Sequence, residues 1–189
     1  MDKKLVKEGV KLILKGIGED INRDGLLNTP QRVADMYEEL YSGIGKDPAS
    51  ELDSMFGENH DEIIIVKDIP FYSVCEHHMV PFVGKAHIAY IPNKSGKIIG
   101  LSKLTRVLEI ASRRLQVQER LTTIVANAIM DKIKPRGAMV IIEAEHFCMS
   151  MRGVKKPGTI TVTSAVRGLF RENPASRAEA MALIKSERV

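Results

Sequence analysis

Apolar side chains recur at Leu5, Val6, Val10, Ile13, Leu14 and Ile17, three or four residues apart, and the run stops around Gly16 and Gly18. That spacing lines one face of a helix and predicts an amphipathic helix over residues 5–17. Asn28-Thr29-Pro30 then reads as an N-cap followed by proline in the first turn. Val33, Met36, Tyr37, Leu40 and Tyr41 continue at helical period to about residue 42. Residues 43–60 mix glycine, proline and acidic side chains without a period, which predicts a connecting loop with one short helical turn. These elements define an N-terminal helical region, residues 1–60, and leave 61–189 as a second domain.

In that second part the pattern changes to extended runs. Residues 63–69 are mostly β-branched, and 82–91 alternate partially through Val83, Lys85, His87, Ala89 and Ile91, predicting two strands. Residues 102–113 and 116–132 return to helical period, through Leu104, Val107, Leu108 and Ala111 and then Leu121, Ile124, Val125, Ala128 and Ile129. Strands follow over 138–147 and 158–166, and Asn173-Pro174 opens a last helix. The order β, β, α, α, β, β predicts an α+β fold.

Composition narrows the class. With 189 residues, 44% of them hydrophobic and 28% charged, the chain can bury a core of its own. Its longest apolar runs are too short to cross a bilayer, and the charged N-terminal stretch has no secretory pattern, so we expect a cytoplasmic protein with no membrane partner. A net charge of +4 fits either solvated lysines or a phosphate-rich ligand. With 5% aromatic residues and no interleaved aromatic and basic stretch, nothing suggests a nucleic-acid partner. The two cysteines, in a reducing compartment, are better explained as buried, metal-bound or catalytic than as a disulfide.

Their surroundings favour metal. Cys75-Glu76-His77-His78 sets a thiol, a carboxylate and two imidazoles in a row between two predicted strands, and Glu145-His146-Phe147-Cys148 ends another. Zn2+ prefers thiolate and imidazole donors, and Cys-x-x-His in a turn lets both side chains converge. Cys75, His78 and Cys148 would leave one tetrahedral position open to water, as in catalytic zinc sites, although spacing does not settle which histidine binds. His77 and His146, beside such a site, could exchange protons near neutral pH. His60 and His87 read as ordinary histidines. Ser102, Lys103 and Arg106 open a helix, and Arg152 follows Cys148, so these cations could meet phosphates, yet no Walker-type loop is present. Gln118 and Glu119 at a helix start are by themselves ordinary capping.

Taken together, Cys75-Glu76-His77-His78, Ser112-x-Arg114-x-Gln116-x-Gln118-Glu119-Arg120-Leu121-Thr122 and His146-x-Cys148 with Arg152-Gly153 resemble the zinc-dependent GTP cyclohydrolase I family. The resemblance extends through Gly84-Lys85-Ala86-His87, Tyr90-Ile91-Pro92 and Gly100-Leu101-Ser102-Lys103-Leu104. It implies a tunnelling fold, an antiparallel sheet with two central helices, in which residues 61–189 form the catalytic domain. It implies conversion of GTP and water to formate and 7,8-dihydroneopterin triphosphate. Cys75, His78 and Cys148 would hold zinc, His77 and His146 would move protons, and Ser102 would lie near the ribose. Glu119, helped by Gln118, would read the guanine edge, and Lys103, Arg106 and Arg152 would face the triphosphate. It also implies a homo-oligomer, a decamer of two pentameric rings with active sites at subunit interfaces. Two other classes compete: another purine or pterin enzyme of the same fold, and a zinc-stabilised binding module without turnover.

Overall fold

The computed structural model describes residues 1–186, and the chain divides into two compact units, Met1–Ser42 and Gly43–Val189. The first holds α1 (Lys3–Gly16) and α2 (Thr29–Leu40). Asp2 caps α1 by accepting from the Leu5 N–H at 3.0 Å, and Lys3 pairs with Asp35 (3.0 Å) and Glu38 (2.6 Å) on α2. Asn28 occupies the N-cap position of α2 without a side-chain capping bond, so Pro30 in the first turn is the part of that signal the helix uses.

The second unit begins with a 3-10 turn, Pro48–Glu51, and continues with β1 (Met55–Gly57), β2 (Ile64–Cys75), β3 (Pro81–Ile91), β4 (Lys97–Ile99) and α3 (Leu101–Ser112). Next come β5 (Leu115–Gln116), α4 (Gln118–Ile133), β6 (Gly137–His146), α5 (Phe147–Ser150), β7 (Ile160–Gly168), α6 (Leu169–Glu172) and α7 (Pro174–Lys185). The main sheet runs β5-β2-β3-β6-β7, antiparallel except for β5 beside β2, while β1 and β4 form a separate ribbon. The fold is therefore mixed α and β.

Residues 43–60, assigned by composition to the N-terminal region, fall within the second unit. The Gly43 N–H donates to Arg113 O (2.9 Å), and the Arg114 guanidinium donates to Gly43 O and Lys46 O. Composition could not show this, because the partners come from a distant helix end.

β2 runs on to Cys75, past the expected end at residue 69. Pro70 obscured the continuation, yet it is tolerated because β5 pairs only with Val74 and Cys75, leaving β2 as the outer strand at Pro70. β1, β4, β5, α5 and α6 are too short to show a period.

Both faces are buried over residues 86–91 of β3 and 137–142 of β6. Leu104, Leu108, Leu121, Val125 and Ile129 of α3 and α4 pack against Phe82, Ile88, Val140 and Ile142. On the opposite face Phe170, Ala180 and Ile184 of α6 and α7 cover Ala89, Ile91, Met139 and Ile141. Double burial removes the need for alternation, which is why 138–142 reads as an unbroken apolar run. Gly84 allows the close approach of β3 to β6, since a Cβ there would lie 1.9 Å from Glu143 O.

His87 is an exception in this interior. It is 2% exposed, and its Nδ1 accepts the Asp68 N–H at 3.2 Å, which leaves the proton of the neutral ring on Nε2. Nε2 is buried without a hydrogen-bond partner, with Glu143 Oε1 at 3.9 Å. Burial pushes the His87 pKa down, outweighing Glu143 and Asp68, which raise it, while Lys85 and Lys67 add to the lowering. The unfolded chain therefore takes up this proton more readily, and the associated stability, present above roughly pH 6.5, is lost as pH falls below it. We predict that the urea midpoint drops between pH 7.5 and 5.5 by more in the native sequence than in His87→Gln. Equal drops would show that His87 contributes nothing to acid sensitivity.

Candidate metal centre and active site

The turn between β2 and β3 carries the first histidine cluster. The Cys75 N–H donates to Val80 O (2.9 Å) and the Met79 N–H to Cys75 O (2.8 Å), closing the turn with Met79 at φ 55°. The cluster is tied to the helical layer as well. The Glu76 N–H donates to Gln116 O (3.0 Å), and the Arg120 guanidinium bonds the Glu76 carboxylate while its Nε donates to Gln116 Oε1 (2.8 Å). That hydrogen bond from Arg120 holds the Glu76 carboxyl below the usual carboxylate range.

The second cluster arrives on β6. Phe82 of β3 pairs with His146 in the sheet register, and the two rings stack at 4.7 Å with planes 2° apart. α5 then turns Cys148 towards Cys75. Glu145 braces this turn, accepting from Ser150 Oγ (2.5 Å) and the Gly158 N–H (2.9 Å).

As a result the ligand atoms of Cys75, His78 and Cys148 lie within 4.8 Å of one another. Tetrahedral coordination with metal–sulfur bonds of about 2.3 Å and metal–nitrogen bonds of about 2.0 Å needs ligand atoms roughly 3.5–3.8 Å apart, so a small contraction admits an ion. The donor chemistry agrees. The Cys148 thiol pKa is pushed up by burial and then by its neighbour Cys75, an arrangement that disfavours two thiolates until a cation lies between them. Both cysteines are free, and these three residues are the cluster of this kind among the described residues.

Other expected site residues gather here. His77 Nδ1 lies 3.9 Å from Cys75 Sγ, and Arg152 Nη1 lies 3.0 Å from His78 Nε2. His146 Nε2 meets Gln118 Oε1 at 2.7 Å, and burial lowers the His146 pKa against the opposing pull of Glu119. Glu119 is exposed in the first turn of α4.

Ser102, Lys103 and Arg106 do not join this group. They lie in the first turns of α3, where Lys103 pairs with Asp53 (2.8 Å) and Arg106 with Glu51 (3.6 Å). The opposite end of α3 approaches the metal cluster, since Ser73 Oγ donates to Ser112 O at 2.7 Å. Ten residues of helix put Ser102 about 15 Å from Ser112. Ile99, just before α3, donates its N–H to the Tyr90 hydroxyl (3.1 Å), eight residues and about 26 Å along β3 from Phe82.

The family GTP cyclohydrolase I matches residues 6–185. The chain belongs to the GTP cyclohydrolase I family. Relatives named GTP cyclohydrolase 1 include one from Carboxydothermus hydrogenoformans, 59% identical over 184 residues that span 97% of this chain and 95% of the relative. One from Pelotomaculum thermopropionicum is 59% identical over 186 residues, 98% of each chain. One from Bacillus subtilis is 54% identical over 187 residues, 99% of this chain and 98% of the relative. Among solved structures, the archaeosine synthase QueF-Like in its apo form overlaps 57% of this chain and 94% of its own at 15% identity and a TM-score of 0.47. A likeness that loose does not define the fold.

Periodicity and spacing alone give no role to Phe82 or Arg120, although Arg120 stands in the shared motif. The Gln116–Arg120 spacing of one helical turn was the available signal, but its partner Glu76 is distant in sequence. We predict that Arg120→Ala weakens metal binding about tenfold, as loss of a supporting partner commonly does, with far-UV circular dichroism unchanged. Chelator competition measures it; unaltered affinity would show that the backbone bonds of the turn suffice.

Proposed function

We propose that this chain catalyses hydrolysis of GTP at C8 of the guanine ring, releasing formate. Amadori rearrangement of the ribose and ring closure then give 7,8-dihydroneopterin triphosphate, the entry to folate or tetrahydrobiopterin synthesis. The observation that carries the reading is the convergence of Cys75, His78 and Cys148 in a chain whose residues 6–185 match the family. The preferred metal is Zn2+, because two sulfur donors and one imidazole suit it better than magnesium or calcium, which take oxygen. Zinc held there supplies Lewis-acid activation of water at neutral pH.

The chain's own groups do the rest. His146, beside Cys148, and His77, beside His78, take and return protons as the ring opens. Glu119 accepts from the N–H donors of the guanine edge. Arg152 reaches the metal cluster and would meet the triphosphate. We assign this chemistry to residues 61–189, in the cytoplasm. No helix among the described residues is long and apolar enough to cross a membrane. A tunnelling fold is supported by the antiparallel β2-β3-β6-β7 sheet with α3 and α4 packed against it.

Ser102, Lys103 and Arg106 are the reason to propose an oligomer. The ribose is bonded directly to guanine, so a residue at the ribose and a residue at C8 must be neighbours. Within one chain Ser102 is about 15 Å along α3 from the end that approaches the metal cluster. A second copy supplying Ser102, Lys103 and Arg106 resolves this, and it accords with a decamer of two pentameric rings sharing sites at subunit interfaces. We predict that Cys148→Ser and Lys103→Ala, each inactive alone, regain activity when co-expressed; no recovery would place both groups in one chain's site.

The direct test gives zinc-loaded protein GTP and follows formate and the fluorescent pterin. Formate with a dihydroneopterin product, abolished by chelation, is expected. Cys148→Ser should lose metal and turnover together, whereas His146→Ala should keep metal and lose about a hundredfold or more in rate. No turnover by zinc-replete, assembled protein would favour the zinc-stabilised binding module instead.

A further inference from the structure

Gln118 is 1% exposed, and both ends of its amide are committed inside the protein. Nε2 donates towards Ile142 O (2.9 Å), Thr161 O (3.0 Å) and Thr163 Oγ1 (3.1 Å). Backbone carbonyls only accept, so this end of the amide must be the NH2 group, and Oε1 must be the atom facing His146 Nε2 at 2.7 Å. An amide oxygen also only accepts, so His146 carries a proton on Nε2. In the neutral imidazole the lone pair is then on Nδ1.

The surrounding hydroxyls fit the same directions. Thr122 Oγ1 donates to Gln118 O (2.7 Å), so in its 2.6 Å contact with Thr163 Oγ1 it accepts and Thr163 donates. Thr163 is thereby left to accept from Gln118. The network joins α4, β6 and β7, and the Phe82 stack fixes the plane of the His146 ring. A buried amide with this many partners has little freedom to turn, because each lost bond would leave a buried polar group unpaired.

We propose that Gln118 is a positioning residue that holds His146 in the Nε2–H tautomer, making Nδ1 the nitrogen that exchanges protons, and that Gln118 does not read the guanine edge. This rests on the reading of His146 as a proton-handling group in GTP hydrolysis. Guanine recognition then belongs to the adjacent, exposed Glu119.

The test has one arm that needs no turnover. In zinc-loaded, assembled protein labelled with 15N-histidine, solid-state NMR of the His146 ring, assigned by its loss in His146→Ala, should show Nε2 protonated and Nδ1 bare. Gln118→Met should broaden or mix that signature. It should lower kcat at least about tenfold while KM for GTP stays within about twofold and zinc content is unchanged. Thr163→Val should lower kcat by a smaller factor, and Thr163→Ser should restore it. A raised KM with kcat retained in Gln118→Met, or an Nδ1–H tautomer in the native protein, would overturn the proposal. Should Gln118→Met fail to assemble, the Thr163 pair and the native tautomer decide, and a Thr163→Ser that does not recover counts against it. Absence of formate from the native protein would refute the GTP reading while leaving the tautomer measurable.

Discussion

The antiparallel register of β3 against β6 is the constraint on which the site depends. It sets Phe82 opposite His146 and so delivers Cys148, two residues further on, to the turn that begins at Cys75. A slip of one residue would send every β6 side chain to the opposite face, removing His146 from Phe82 and from Gln118 together. The register is strongly held because residues 86–91 and 137–142 are buried on both faces. That one-residue slip would also place Glu143 and Glu145, now half-buried, among the apolar residues under α3 and α4.

Polar groups in the interior are distributed unevenly. Of the buried polar residues Ser73, His87, Ser112, Gln116, Gln118 and Thr122, all but His87 lie at the metal end of the sheet. Each of those five is hydrogen bonded to another element or to a nearby backbone carbonyl, for example Gln116 Nε2 to Ala111 O at 3.0 Å. An apolar filling of the same volume would cost less desolvation, so this end of the core favours fixed geometry over maximal hydrophobic burial. The opposite end, with α6 and α7 on Met139 and Ile141, is almost wholly apolar.

Much of this architecture is legible in the sequence. The long helices and strands follow from periodicity, β2 excepted beyond Ile69, and the metal donors follow from residue chemistry, because few other roles explain two cysteines each flanked by histidines. The assignment of residues 43–60 by composition missed the ties that Arg113 and Arg114 make to Gly43 and Lys46. Gln118 and Glu119, adjacent in the sequence, point in different directions from the first turn of α4, one buried and one exposed.

The sequence by itself determined which groups were available: the thiols and imidazoles that suit zinc, the helical and extended periods, and the ordered motifs shared with a family. Those are properties of residue type and local spacing. Tertiary structure decided which histidine lies with the two cysteines, that His146 meets the buried Gln118 amide, that Arg120 braces Glu76, and that Ser102 and Lys103 lie far from the cluster in their own chain. Such outcomes depend on strand register and on contacts between residues far apart in the chain, and no local pattern encodes a distance across a sheet.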